Sequence, residues 1–383
     1  MDFIRPQNDL SSLPPEPLTT AGNRKVLAYI ETTFNHILHE IQIRPCGKPV
    51  IVLRRIVSVR PYHDENDLNR LKWHIKDREV TYSFPAKTKD EAWRFACVGQ
   101  ILAAIYSAIK DGITVTKRDI YYQDPALFKQ QETVDRYIDD IAHTCQVTRS
   151  DLNVIGSPKG LLVGLDPDAN DRMAIVPAVN NIETSMRLSH LNWILVVEKE
   201  ATFNTLVERK FHLNSINGPG LLVTAKGYPD LATRHFLRFV LDHSETPLPI
   251  FCLIDWDPDG IQILKCYLYG SKNLAREHVC NIPELKWLGL KADDVAPGDD
   301  VQMSMPLSMR DRVIALSMLT SQEWRDGSDI SLPGLVDAMN ELRRMLMLNR
   351  KAEIQSLDDR EGGLERWLTN RLAIELHDDS IVH

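Results

Sequence analysis

Three short, continuous apolar runs in the second half of this 383-residue chain constrain its fold more than any other feature. They cover residues 193–197, 221–224 and 250–254. Continuous apolar strands are typical of parallel sheets that are covered on both faces. The segments between and after the runs have the apolar spacing of helices, at about 201–211, 230–243 and 260–269. This alternation predicts a parallel, Rossmann-like sheet with helical cover, followed by a mostly helical tail at 305–375.

The first half has a different pattern, in which helices precede a hairpin. After a helix from about residue 24 and a strand at 49–53, apolar residues recur every four positions over 89–112 and predict a second helix. A third helix is expected to begin near Thr116, whose hydroxyl can cap it while Asp119 favours the first turn. A fourth covers about 126–146. The runs 153–155 and 161–163 flank a turn at 157–160 and are expected to pair as a β-hairpin, which is typical of a winged-helix DNA-binding domain.

These patterns predict two domains and a tail. Residues 1–22 are rich in Pro, Ser, Thr and Asn and are expected to be a flexible tail. The winged-helix domain is expected over 23–165 and the sheet domain with its helical extension over 185–383. No apolar stretch approaches the ~18–20 residues of a membrane span, and the N-terminus lacks the pattern of a secretory signal. The six cysteines lack zinc-binding spacing, which indicates reduced thiols in the cytosol or nucleus.

The net charge of −8 conceals an uneven distribution. Residues 41–160 carry 19 Lys and Arg against 15 Asp and Glu, whereas residues 161–383 carry 23 against 33. A basic half joined to an acidic half suits a protein that binds a polyanion with one domain and metal ions with the other. Chance asymmetry between two ordinary domains explains the same numbers.

Acidic residues follow two of the predicted strands. Glu198 comes directly after the first strand, and Asp255 and Asp257 follow the third. In open α/β sheets, functional groups gather beyond the carboxyl ends of the strands. Carboxylate ligands favour Mg²⁺ or Mn²⁺ over zinc. The alternative is that Asp257 belongs to a simple turn and that Glu198 only favours a helix N-terminus.

A pair of tyrosines, Tyr121 and Tyr122, lies on or near a helix in the basic domain. A phenol is a weak nucleophile unless a neighbouring cation or base stabilises its ionised form. Arg118 precedes Tyr122 by four residues and shares its helical face, so its guanidinium can support the phenolate or bind a phosphate. The alternative is that both tyrosines pack in the core or in a subunit contact.

Five ordered blocks resemble the A subunit of topoisomerase VI and, more closely, its eukaryotic meiotic relatives, the sporulation-protein-eleven family. The blocks are residues 117–122, 152–160, 197–203, 224–231 and 255–260, and a further match follows at 351–355. The resemblance implies a catabolite-activator-like winged helix followed by a Toprim domain. It assigns the nucleophile to Tyr122, the adjacent basic residue to Arg118, and the metal ligands to Glu198, Asp255 and Asp257.

The same resemblance implies DNA-backbone contacts by Lys159 and Lys226, whereas Asp259 lies outside the family's core acid set. The implied reaction is Mg²⁺-assisted transesterification, in which the tyrosine becomes linked to a 5′ phosphate and a meiotic double-strand break forms. Two chains are needed, since the tyrosine of one chain approaches the metal site of the other. The implied partners are duplex DNA, meiotic accessory proteins and a topoisomerase VI B-like subunit, and the implied location is the nucleus. The alternatives are a topoisomerase VI A subunit that reseals its breaks and a catalytically silent DNA-binding scaffold.

Overall fold

The computed structural model divides the chain into two compact units. The first comprises residues 1–55 and 78–157, and the second comprises residues 56–77 and 158–383. The structure describes residues 20–43, 47–64, 67–156, 158–165, 172–177, 188–270, 280–295, 304–321, 334–357 and 363–381. Most of the expected tail over 1–22 lies outside the described residues, but Ala21 and Gly22 already belong to a helix.

The first unit packs helices around one buried core and includes part of a long two-stranded ribbon. Its elements are α1 (Ala21–Ile43), the start of β1 (Val50–Asp64), the end of β2 (Asp67–Ser83), α2 (Lys89–Lys110), β3 (Val115–Thr116), α3 (Lys117–Gln123), α4 (Pro125–Phe128), α5 (Gln131–Cys145) and β4 (Val154–Ile155). The ribbon is formed by β1 and β2, of which only the start was predicted. Helix α2 confirms the prediction over 89–112. It is long and apolar enough to cross a membrane by length and composition alone, but its Cys97, Ile101 and Ile105 are buried in the unit's core.

Helix α3 carries the paired tyrosines and begins at the predicted cap. The Thr116 hydroxyl accepts a hydrogen bond from the Asp119 amide at 3.1 Å, and the Thr116 amide donates to the Asp119 carboxylate at 2.8 Å. This reciprocal capping satisfies two amide groups that the first turn of a helix leaves without partners. Ile120 is fully buried and fixes the helix on the core. The prediction at Thr116 and Asp119 is therefore confirmed.

The second unit is built on a sheet that has six strands in the part of the chain that the structure describes. Its elements are β5 (Leu161–Val163), β6 (Ala174–Ile175), β7 (Trp193–Val197), α6 (Glu200–Glu208), α7 (Phe211–Asn214), β8 (Gly220–Thr224), α8 (Leu231–His243), β9 (Ile250–Leu253), α9 (Pro258–Tyr269), β10 (Lys286–Trp287), β11 (Met305–Pro306), α10 (Met309–Thr320), α11 (Leu335–Leu348), β12 (Arg350–Lys351) and α12 (Gly363–Ile381). The strand order is β10-β9-β7-β8-β5-β6, and the first four strands are parallel. Every residue of β7, β8 and β9 is buried, so the predicted parallel sheet is confirmed.

The predicted β-hairpin of residues 153–163 is wrong. Strand β4 pairs in parallel with β3, whereas β5 pairs antiparallel with β8 and β6 at one side of the large sheet. Leu162 and Val163 are buried there, and joining a large buried sheet removes more apolar surface from water than pairing with a two-residue strand. The units divide between residues 157 and 158, so β5 belongs to the second unit.

The C-terminal part of the chain returns to the sheet after the helices α10 and α11. Strands β11 and β12 pair antiparallel, and the next residue, Ala352, exchanges two backbone hydrogen bonds with Trp256 at 2.9 and 3.1 Å. The predicted helical tail is confirmed by α10, α11 and α12 apart from these short strands. The backbone pairing places residues 352–355 beside the acidic turn that follows β9.

Candidate active site

Tyr122 presents its side chain to solvent from α3. It is 68% exposed, whereas Tyr121 is half-buried and packs against the core of the first unit. The two rings lie edge to face, with centroids 5.3 Å apart. The structure thus separates two tyrosines that the sequence presents side by side, and only the Tyr122 hydroxyl is on an exposed side chain.

The cations at the start of α3 differ in their surroundings. Lys117 is largely buried between Asp135 and Asp139, with its ammonium 3.6 Å from a carboxylate oxygen of each. Burial, together with the nearby Arg149, lowers the pKa of Lys117. Arg118 is exposed and forms no ion pair with any residue that the structure describes. Its guanidinium is therefore the cation of this helix that remains available to an incoming anion.

In the second unit, neighbouring strands bring two of the predicted acids together. Glu198 follows β7 and Asp255 lies just beyond β9, and these strands are adjacent and parallel. The Glu198 carboxylate accepts a hydrogen bond from the Asp255 amide at 3.0 Å through Oε2. The contact agrees with the expectation that acids after parallel strands meet at one edge of the sheet.

Asp255 is 3% exposed and has a partner on each carboxylate oxygen. Oδ1 accepts a hydrogen bond from the Ile354 amide at 2.9 Å, and Oδ2 lies 2.6 Å from the Lys199 ammonium. The same ammonium is 3.0 Å from Glu353 Oε2 and donates to Gln355 Oε1 at 2.9 Å. Lys199 thus joins the acidic turn to the returning C-terminal segment.

Asp257 caps helix α9. Its Oδ1 accepts a hydrogen bond from the Gly260 amide at 2.7 Å, as an N-cap aspartate does. A side chain at position 260 would begin 2.6 Å from the Asp255 carbonyl oxygen, so the turn closes tightly only with glycine. Asp259 forms two hydrogen bonds with the exposed Arg310 at 2.5 and 3.1 Å. This ion pair gives each carboxylate oxygen of Asp259 a partner on Arg310.

Trp256 fixes the acidic turn from the protein interior. Its ring is fully buried and its indole nitrogen donates to Glu341 Oε2 at 2.8 Å. The same oxygen accepts from the Ala292 amide at 2.8 Å, while Glu341 Oε1 accepts from Arg344 at 3.0 Å. Since a buried carboxylate needs several donors, this network anchors the residue between the two aspartates.

The three acids share an environment that disfavours negative charge. Burial, reinforced by the charge of Asp255, raises the pKa of Glu198 to about 7. Burial likewise raises the pKa of Asp257 to about 6. It also raises the pKa of Asp255, although Lys199 acts in the opposite direction. Buried carboxylates that repel one another require a nearby cation to be fully ionised.

These oxygen donors fit a hard divalent cation. Glu198 Oε1 and Asp257 Oδ2 accept no hydrogen bond within the described ranges, so each is available as a ligand. The described side chains include no group of three or more His, Cys, Asp or Glu that is arranged as a complete metal-binding cluster. Mg²⁺ commonly keeps several water ligands and takes only one or two from carboxylates. The donor set therefore fits Mg²⁺ better than an ion that needs a full protein cage.

Sequence reasoning missed Lys199, Glu353, Gln355 and Glu341 as parts of this arrangement. The first lies inside the resembling block 197–203, and Glu353 and Gln355 lie inside the match at 351–355. Their presence in those blocks was the available signal. Glu341 offers no such signal, since only the fold brings it to the Trp256 indole.

The structure places Lys159 and Lys226 together in the second unit. The Lys159 ammonium donates to the Lys226 carbonyl oxygen at 3.5 Å, and the Lys226 ammonium is 2.9 Å from Glu200. Lys159 does not lie in a hairpin turn, because β4 and β5, the strands on either side of it, pair with different partners. Lys226 therefore forms an ion pair with Glu200.

Comparison with known proteins connects both units to one group of enzymes. Residues 193–372 match the Toprim domain shared by Spo11 and the topoisomerase 6 A subunit, whereas residues 93–154 match the type IIB DNA topoisomerase family. The meiotic recombination protein rec12 of Schizosaccharomyces pombe is 32% identical over 93% of this chain and 97% of its own length. The meiotic recombination protein SPO11 of Homo sapiens is 31% identical over 78% of this chain and 76% of its own length. The DNA topoisomerase 6 A subunit of Arabidopsis thaliana is 35% identical over 67% of this chain, which spans 60% of that relative.

The matched domains and the relatives define a topoisomerase-like, DNA-cleaving enzyme with a Toprim domain. Toprim domains generally bind divalent metal ions, which agrees with the carboxylates of Glu198, Asp255 and Asp257 that follow β7 and β9. The chain belongs to the family of topoisomerase 6 A subunits and Spo11 proteins.

Proposed function

We propose that the protein makes the programmed DNA double-strand breaks that initiate meiotic recombination. The observation that carries the proposal is the exposed Tyr122, beside an available Arg118, in a chain whose Toprim unit gathers three acids at one edge of its sheet. The rec12 protein, which covers more of this chain than the human and Arabidopsis relatives do, is named a meiotic recombination protein. The alignment with rec12 covers 97% of that protein, whereas the alignment with the Arabidopsis topoisomerase 6 A subunit covers 60% of that subunit. This difference favours the meiotic function over that of a topoisomerase VI A subunit.

The proposed reaction is a transesterification that needs neither water nor ATP. The Tyr122 phenolic oxygen forms a bond to the phosphorus of a DNA phosphodiester, and the bond from phosphorus to the 3′ oxygen breaks. The phenol loses its proton and the departing 3′ oxygen gains one, so the protein remains joined to the 5′ end. Arg118 stays charged throughout and either stabilises the phenolate or binds the attacked phosphate.

The acids would hold the divalent cation in this reaction. Glu198, Asp255 and Asp257 are the ligands we propose for Mg²⁺, with Mn²⁺ as a substitute. When bound, the cation supplies positive charge that stabilises the phosphate oxygens and the leaving oxygen. The protein's own contribution is to hold the acidic turn rigidly through Trp256 and Ile354.

The proposed assembly is a homodimer on duplex DNA, since one tyrosine cuts one strand. We assign the first unit to the winged-helix domain and propose, as partners, meiotic accessory proteins together with a topoisomerase VI B-like subunit. The names of the relatives support a site of action on chromosomes in the nucleus.

Replacement of the tyrosines tests the nucleophile. Tyr122→Phe removes one exposed oxygen, so folding and DNA binding should persist while covalent protein–DNA complexes disappear. Tyr121→Phe is the matched control and should retain covalent complexes, because that ring packs on the core. The measurement is recovery of DNA ends linked to protein after denaturation. Covalent complexes in the Tyr122 variant at wild-type level would refute the assignment.

A salt titration tests the proposed DNA contacts. Phosphate contacts release counterions, so duplex affinity should fall linearly with salt on logarithmic axes. Arg118→Ala and Lys159→Ala should each weaken binding to two unrelated duplexes equally and reduce the slope by about one. Lys226→Ala should have a smaller effect, since its ammonium is paired with Glu200. Unchanged affinity and slope in all three variants would place the DNA on other surfaces of the protein.

A further inference from the structure

Lys199 contacts the acid site through Asp255, although the proposed reaction assigns it no role. Its ammonium is in contact with oxygens of Asp255, Glu353 and Gln355 at 2.6, 3.0 and 2.9 Å. Three oxygen partners within 3.0 Å fix a long, flexible side chain that otherwise has considerable rotamer freedom. The side chain is 30% exposed, so the ammonium is in reach of solvent and ions.

The three partners of Lys199 are of two kinds. Asp255 is buried, belongs to the acidic turn and is a proposed ligand of the divalent cation. Glu353 is half-exposed and belongs, with Gln355, to the segment that follows β12. The ammonium lies on Asp255 Oδ2 and the Ile354 amide donates to Oδ1, so a divalent cation that binds Asp255 meets the ammonium at the same carboxylate. Two cations at one oxygen repel each other, so they compete.

We propose that Lys199 is a positioning residue that competes with the divalent cation for Asp255, and that Glu353 and Gln355 hold its ammonium when the cation binds. The inference rests on the proposed metal role of Asp255. In this arrangement, Lys199 neutralises the buried aspartate and limits the affinity of the acid site for metal ions. When the cation displaces the ammonium from Asp255, the ammonium keeps its contacts with the oxygens of Glu353 and Gln355.

The proposal predicts that substitutions at two residues in contact change the affinity for Mg²⁺ in opposite directions. Lys199→Met removes the competing charge and keeps the aliphatic stem, so Mg²⁺ should bind about tenfold more tightly. Glu353→Gln leaves the ammonium with Asp255 and an uncharged neighbour, so Mg²⁺ should bind severalfold more weakly. In the double variant Lys199→Met/Glu353→Gln, most of the effect of the Glu353 change should vanish. Effects that operate through a shared partner are not additive.

The test is isothermal titration of the full chain with Mg²⁺, and with Mn²⁺ in parallel, at fixed pH and without DNA. The exposed pair Arg209 and Glu365, whose charges are 3.9 Å apart in the same unit, provides matched controls. Arg209→Met and Glu365→Gln remove the same charges and should leave Mg²⁺ affinity within about twofold of wild type, because exposed, distant charges are screened.

Four results would overturn the proposal. Weaker Mg²⁺ binding by the Lys199 variant would show that the ammonium supports the metal instead of competing with it. An undiminished effect of Glu353→Gln in the Lys199→Met background would make Glu353 a metal ligand in its own right. If the wild type binds Mg²⁺ and no variant changes the affinity, this inference alone is refuted. If the wild type does not bind Mg²⁺, the proposed metal role of the acids is refuted as well.

Discussion

Glu198→Gln should stabilise the protein in EDTA at alkaline pH, although it removes a proposed metal ligand. Burial raises the pKa of Glu198 from its ordinary 4.5 to about 7. At about 1.4 kcal/mol for each pKa unit, that difference corresponds to about 3 kcal/mol of unfolding free energy. The amide keeps an oxygen that can accept the Asp255 amide proton, so the hydrogen bond at 3.0 Å should persist.

The sign follows from the proton balance of the two states. Between pH 4.5 and 7, the folded protein retains the Glu198 proton while the unfolded chain releases it. The unfolding free energy contributed by this group is therefore highest below pH 4.5 and falls as the pH rises to 7, after which it is constant. The variant has no such proton, so its stability relative to wild type should increase by about 3 kcal/mol across that window.

Urea denaturation in EDTA at several pH values between about 4.5 and 8 provides the measurement. Tryptophan fluorescence reports on the second unit, because Trp193 and Trp256 are both fully buried there. Glu365→Gln, which removes an exposed carboxylate, should show a pH dependence parallel to that of wild type. Added Mg²⁺ at the alkaline end should stabilise the wild type more than the Glu198 variant. A constant difference between wild type and the Glu198 variant over the whole pH range would refute the argument that burial holds this carboxyl group protonated.

Three further changes test the packing around the two functional elements. Trp256→Phe removes the indole donor to the buried Glu341 and should cost about 2–4 kcal/mol in urea denaturation, whereas no loss would show that the network does not fix the acidic turn. Gly220→Ala should cost about 1–3 kcal/mol by the same assay, because its Cβ would lie 2.3 Å from the buried Trp193 ring, and a neutral result would show that β7 and β8 can separate there. Thr116→Ala removes the cap of α3 and should cost about 1 kcal/mol while lowering the yield of covalent complexes, with restoration expected for Thr116→Ser.

The elements of the second unit were predictable because their signals are local. Apolar runs that are buried at every residue gave β7, β8 and β9, and the acids that directly follow two of them needed only the rule of parallel strand ends. The cap at Thr116 was predictable for the same reason, since its hydroxyl and the Asp119 amide are three residues apart. The greater exposure of Tyr122 than of Tyr121 was not predictable, because both lie close to the fully buried Ile120 in the sequence.

The errors and omissions involve contacts between residues that are distant in sequence. The segment Leu161–Val163 follows a turn as a hairpin strand would, but its partner is β8, about 60 residues later. Lys199 and Gln355 are 156 positions apart, and Trp256 and Glu341 are 85 apart. Sequence periodicity does not predict such pairings, so the contacts that support the acidic turn are found only in the folded structure.

The acidic turn obtains its hydrogen-bond partners from residues that lie far along the chain. Asp255 obtains its partner Ile354, and Trp256 its backbone partner Ala352, from a segment that is synthesised about 100 residues after the turn. Without this segment, the buried Asp255 carboxylate would lose a charge-assisted hydrogen bond, and Trp256 would lose two backbone bonds in a place from which water is excluded. Each buried polar group left without its partner costs about 1–3 kcal/mol. The acid geometry therefore depends on residues 352–354 as well as on the strand-turn-helix motif that carries the acids.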